Sequence, residues 1–80
     1  MAVEVVEAFM PGIFYRKGNP DEPPYKEEGD MVVKGDSVGL IEIMKSFSPV
    51  EAGVAGRIVR FLVESGDAID AGQAICEIEI

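Results

Sequence analysis

An 80-residue chain with 15 acidic and 7 basic residues carries a net charge of −8, which disfavours phosphate backbones and favours basic protein surfaces. It holds one cysteine, Cys76, and no histidine, so it has neither a disulfide framework nor an imidazole to activate a nucleophile. At 48% apolar residues it is too hydrophobic for disorder, and its length allows one domain, 1–80, with a thin core and little room for a catalytic cleft.

The chain opens Met1-Ala2-Val3-Glu4, with no basic stretch ahead of an apolar run, so no secretory signal is expected. No stretch is apolar for long enough to cross a membrane. Residues 12–16 begin a unit that recurs. At an offset of 44, Gly12 meets Gly56, Phe14 meets Ile58 and Arg16 meets Arg60. Next comes Lys17-Gly18-Asn19-Pro20-Asp21-Glu22-Pro23-Pro24, dense in turn formers and stiffened by three prolines. The acidic run Glu27-Glu28-Gly29-Asp30 lacks the spacing of a calcium loop and reads as a solvated turn.

Residues 29–43 then match residues 66–80 at an offset of 37: Gly29-Asp30 with Gly66-Asp67, Gly35 with Gly72, and Ile41-Glu42-Ile43 with Ile78-Glu79-Ile80. The two offsets differ by seven. The first copy therefore holds seven extra residues between Arg16 and Gly29, which places a protruding loop at about 17–24.

Each copy is strand-like. Ile41-Glu42-Ile43 and Glu77-Ile78-Glu79-Ile80 alternate with period two, Val54 to Val63 is rich in β-branched residues, and no window has helical periodicity. Gly-Asp pairs punctuate the strands. Two such units, neither able to close a core alone, predict an all-β, flattened barrel or sandwich with pseudo-twofold symmetry. The strands ending at Ile43 and Ile80 take equivalent positions in it. Arg57 and Arg60 are expected to lie along the solvent face of their strand. Cys76, beside Ala74, Ile75 and Ile78, reads as a small core residue in a reducing, cytoplasmic setting.

The copies differ in one place. After Ile43 the chain continues Met44-Lys45-Ser46-Phe47, with a new strand by about Phe47, so Met44-Lys45 forms a tight hairpin. Such turns favour Asn-Gly or Asp-Gly, because both central residues need positive φ. An exposed lysine ordinarily only solvates a face. Here, though, Met-Lys is a poor choice for the turn, and something other than turn geometry selects it. A lysine at a hairpin tip suits acylation by a visiting ligase. A group attached there swings between separate active sites, so the carrier itself needs no acid, base or metal.

Glu42-Ile43-Met44-Lys45 resembles the biotin attachment motif of the biotin carboxyl carrier family of acetyl-CoA carboxylase. Gly12, Phe14, Tyr15 and Arg16 look like the family's first strand, and Pro20 and Asp21 like part of its thumb insertion. Gly35-Asp36, Glu51-Ala52, Gly56 and Val63-Glu64-Ser65-Gly66 also follow its pattern. The resemblance covers nearly the whole chain and implies a flattened eight-stranded β-barrel, the barrel-sandwich hybrid fold.

It further implies biotin attached to Lys45 by a biotin protein ligase that reads Glu42, Ile43, Met44 and Ser46. The thumb, Asn19, Pro20, Asp21, Glu22, Pro23 and Pro24, would project near the biotin. A biotin carboxylase and a carboxyltransferase would then use the arm in turn to carboxylate acetyl-CoA or another acyl-CoA, as in fatty acid synthesis. Two flanking positions differ from the family's usual residues: Ile43 stands for alanine and Ser46 for methionine. The long Pro/Ala-rich region that commonly precedes this domain is absent, so the chain is either a short free-standing carrier or a domain of something longer. Two other readings share the fold. A lipoyl carrier of an oxidative decarboxylase would place aspartate where Met44 stands and would lack the thumb. An unmodified interaction module would draw on Ile43 and Ser46.

Overall fold

The computed structural model describes residues 2–18 and 21–80. Its strands are β1 (Val3–Glu7), β2 (Gly12–Tyr15), β3 (Met31–Val32), β4 (Ser37–Ile43), β5 (Ser46–Glu51), β6 (Gly56–Phe61), β7 (Ala68–Ile69) and β8 (Ala74–Glu79). They form two antiparallel four-stranded sheets, ordered β1-β8-β6-β3 and β5-β4-β2-β7. The principal extents, 38 × 27 × 19 Å, are those of a flattened barrel.

The sequence repeat becomes a symmetry of pairing. β1, β8, β6 and β3 take the places in one sheet that β5, β4, β2 and β7 take in the other. Register is preserved pair by pair. Val3 faces Glu79 as Phe47 faces Glu42, and Val6 faces Cys76 as Val50 faces Gly39. The register slips at the same point in both copies, between Val6 and Glu7 on β1 and between Ser37 and Gly39 on β4. Each slip adds a buried residue to the core: Ile75 lies between the paired Ala74 and Cys76, and Val38 between Ser37 and Gly39.

Four turns recur in the same way. In residues 27–30, 33–36, 64–67 and 70–73 the last residue donates its backbone N–H to the first carbonyl, and its side chain accepts the first residue's N–H. The third residue of each is a glycine with φ between 86° and 96°, which a type II turn requires. The acidic run at 27–30 is thus such a turn.

The core between the sheets holds Phe14, Val38, Ile41, Val50, Ile58, Ile75, Cys76 and Ile78, all essentially inaccessible, and no polar side chain is buried among the described residues. Burying each large apolar side chain contributes about 1.5–3 kcal/mol. The two halves fill this space with different shapes. Phe14 is larger than Ile58, its counterpart, and Gly39 is smaller than Cys76, its counterpart. A Cβ on Gly39 would lie 2.5 Å from the Phe14 ring and 2.7 Å from Tyr15 O, so the missing side chain is what admits the ring.

Several expectations are refined. The strand that resembles the family's first is the second of this chain, because β1 lines the edge beside β8. β5 starts at Ser46, the Val54–Val63 strand narrows to Gly56–Phe61, and β8 closes at Glu79. Arg57 and Arg60 do not merely lie along their strand: they pair with Glu79 and Glu77 across β6–β8, each at 2.8 Å. The match of Arg16 with Arg60 also fails in space. β6 slips register between Ile58 and Arg60 and β2 does not, so Tyr15 faces Leu40 as Arg60 faces Glu77. Arg16 therefore takes the position that Phe61 takes in the other half.

Candidate functional site

β4 and β5 meet in a two-residue hairpin closed by the Ile43–Ser46 pair. Met44 and Lys45 have φ of 51° and 67°, and no other non-glycine residue described has a positive φ. A two-residue hairpin of this hand needs both central residues in the left-handed region, since only then does the turn match the twist of its strands. Each side chain carried there costs about 1–2 kcal/mol. Met44 is 92% exposed, so its packing does not offset that cost. Lys45 is exposed too, and neither a hydrogen bond nor an ion pair holds it among the described residues.

The base of the hairpin is firm by contrast. On the inner side Ile43 packs against the core. It does so over Gly12, where a Cβ would lie 2.6 Å from Ile41 Cγ2 and 3.0 Å from Ile43 Cγ1. On the outer side the half-buried Glu42 accepts the Tyr15 hydroxyl at 3.1 Å. The Tyr15 and Phe47 rings lie 6.5 Å apart. That hydrogen bond, then desolvation and the carboxylate's charge, raise the Tyr15 pKa above its ordinary value. Of the proposed flanking residues, then, Glu42 and Ile43 belong to the base, Met44 to the tip, and the exposed Ser46 to the start of β5.

The place equivalent to this hairpin in the other half is where the chain ends meet: Ile80 N–H donates to Ala2 O at 2.9 Å. One fold position is thus a strained turn in one copy and the Ala2–Ile80 pairing in the other. Sequence alignment located the lysine turn and set the end of the Ile80 strand opposite it, but not the pairing of Ile80 with Ala2.

The 17–24 loop leaves β2 after Tyr15, which pairs with Leu40. Its root lies three residues, about 10 Å, along β4 from the Ile43–Ser46 pair. Asp21, Glu22 and Pro23 are exposed and Pro24 is half-buried, while Asn19 and Pro20 lie outside the described residues. Tyr25 N–H donates to Arg16 O at 2.9 Å and closes the loop. The Tyr25 hydroxyl sits over Gly18, where a Cβ would come within 2.8 Å. Sequence reasoning placed the loop after Arg16 but gave neither Arg16 nor Tyr25 a part in holding its root.

Cys76 is fully buried, and burial pushes its thiol up to about 11, with Arg16 drawing it down and Glu77 raising it. It belongs to the core.

The hairpin thus presents one exposed, unengaged amine from a strained turn. Comparison with known proteins gives the family. The family model described as "Biotin-requiring enzyme" matches residues 4–79. The chain belongs to this family. Among its relatives are the proteins named biotin carboxyl carrier protein of acetyl-CoA carboxylase from Pyropia yezoensis and Streptococcus pyogenes. The first is 39% identical over 88% of this chain and 44% of the relative, the second 37% identical over 95% and 46%.

The biotin-family barrel described here therefore spans less than half the length of those relatives. Among solved structures it is similar to part of the urea carboxylase of Kluyveromyces lactis, with a TM-score of 0.82 and 29% identity over 99% of this chain and 6% of that one. A single-chain long-chain acyl-CoA carboxylase shares the fold at a TM-score of 0.76.

Proposed function

We propose that the chain is a biotin carboxyl carrier, modified on Lys45. It would move a carboxyl group from a biotin carboxylase to a carboxyltransferase that acts on acetyl-CoA or another acyl-CoA. The observation that carries this reading is the pair of positive φ values at Met44 and Lys45. The turn keeps a conformation that these residues disfavour, and the lysine stands clear of the barrel. The residues present fit biotin, because an exposed amine without a partner leaves nothing to displace on acylation. Biotin supplies the carboxyl-carrying chemistry when attached. The barrel supplies the rest: Ile43, Glu42 and Tyr15 fix the base of the hairpin, and the amine projects from its tip.

The partners follow from that role. A biotin protein ligase reads the tip at Met44, Lys45 and Ser46, with Glu42 beside it. Ile43 points to the core and acts by holding the hairpin. The −8 charge favours basic surfaces on these enzymes. The 17–24 loop, rooted about 10 Å along β4 from the hairpin, would serve the cofactor on the arm. A reduced, buried Cys76 accords with a cytoplasmic location. The relatives' names favour biotin over a lipoyl group. Intact mass spectrometry after coexpression with a biotin ligase tests the assignment. One added biotinyl group that disappears in Lys45→Arg is expected, and absence of any modification would overturn it.

A further inference from the structure

Arg16 and Phe61 occupy the same place in the two halves. Phe61 follows Arg60 on β6 and faces Cys76, and its N–H donates to the Glu28 carboxylate at 3.1 Å. Arg16 follows Tyr15 on β2, and its N–H donates to Ser65 Oγ at 2.8 Å. Ser65 is the repeat counterpart of Glu28 at the offset of 37. The two side chains meet, the Arg16 guanidinium lying 4.1 Å from the centre of the Phe61 ring. One half therefore sets a phenylalanine against the core and the other a charged guanidinium.

That exchange is unfavourable for the barrel. Arg16 Nε is buried without a hydrogen-bond partner, and no carboxylate pairs with Arg16 among the described residues. What the guanidinium does reach is the stretch of chain that returns from the loop. Nη2 donates to Lys26 O at 3.3 Å, and the Arg16 carbonyl accepts Tyr25 N–H at 2.9 Å. Through Ser65 and Phe61 the same residue is fixed to the other half of the barrel. The loop is also the feature that this half has and the other lacks.

We propose that Arg16 is a positioning residue that clamps the root of the loop, at Tyr25 and Lys26, to the barrel and thereby sets how well the loop serves carboxyl transfer. The second half of this statement rests on Lys45 being the attachment site. A fixed loop presents the same groups to the arm at every visit. A loose one does so only part of the time, and turnover falls by that fraction.

Arg16→Met tests this, because methionine keeps an apolar stack on Phe61 and removes the guanidinium. Hydrogen exchange of the unmodified chain reads the clamp without reference to Lys45. The Tyr25 amide, which donates to Arg16 O, is expected to exchange about tenfold faster, the scale of one hydrogen bond from a charged donor. The thermal midpoint is expected to hold or rise, since the barrel loses an unsatisfied buried polar group. Unchanged exchange overturns the clamp. So does a variant that fails to fold, because Arg16 would then be a barrel residue. Arg16→Lys, which keeps the charge and loses the planar stack, is expected to loosen the loop as well.

In the biotinylated chain, with its mass verified on Lys45, a biotin carboxylase supplied with ATP and bicarbonate should show kcat several-fold lower and an unchanged KM for the carrier. A loosened loop with unchanged kcat overturns the link to transfer. Absence of biotin on Lys45 would instead defeat the attachment reading and leave the exchange result to decide the clamp.

Discussion

Replacing Met44-Lys45 by Asn-Gly should stabilise the barrel. Both residues sit at positive φ, 51° and 67°, and Met44 is almost fully exposed, so little packing is lost. Relief of left-handed strain is worth about 1–2 kcal/mol per residue. The gain is offset by up to about 1 kcal/mol, because glycine also frees the unfolded chain. Asparagine recovers only part of its share, since its side chain tolerates the left-handed region without removing Cβ. The net expectation is about 1–2 kcal/mol, or a rise in Tm on the order of 4–16 °C for a domain of this size. Urea unfolding followed by circular dichroism measures it, with the single variants Met44→Asn and Lys45→Gly as components. The double variant should also refuse biotin. A midpoint at or below that of the parent chain would show that the turn is not strained and would remove the argument that function selects these residues.

Two further outcomes test the core. The Cys76 thiol is raised to about 11, above an unfolded value of about 8.5, so the folded state holds its proton more tightly. The stability due to this thiol is full below about pH 8.5 and is lost as pH rises through 11. Urea midpoints between pH 8 and 10.5 should fall more steeply for the parent chain than for Cys76→Ala, and parallel curves would refute the burial argument. Gly39→Ala should destabilise the barrel by about 1–3 kcal/mol, because its Cβ meets the Phe14 ring and Tyr15 O. In a chain that already carries Phe14→Ile the same change should cost less, with only the Tyr15 O contact left, and equal costs in the two backgrounds would refute the exchange of volume between Phe14 and Gly39.

Much of the architecture was legible because duplication prints itself twice. Ile41-Glu42-Ile43 alone is a short alternating segment. Paired with Ile78-Glu79-Ile80 it predicts two strands in equivalent places, and β4 and β8 occupy them. The turn at Met44-Lys45 was legible for the opposite reason, as the point where the copies stop agreeing. The edge strand β1 was missed, although Val3-Glu4-Val5 alternates like its counterparts, because its match to β5 carries few identical residues. What no alignment yields is a bulge. The one-residue slip in β6 leaves Arg16 and Arg60 matched in sequence and separates them in space.

That slip shows how the two halves came to do different work on one framework. On β6 it turns Arg60 outward to Glu77, where an exposed ion pair contributes little, and brings Phe61 to the core. On β2 the straight register sets Tyr15 outward to Glu42, beneath the lysine turn, and brings Arg16 inward beneath the loop. Both differences fall in the half that holds the hairpin and the insertion. The half without them keeps the ordinary solution, with charges outside and an aromatic ring inside. The departures from good barrel chemistry, which are two left-handed side chains and one guanidinium with an unsatisfied nitrogen, thus gather around the proposed path of a single arm. The other half shows that the fold does not require them.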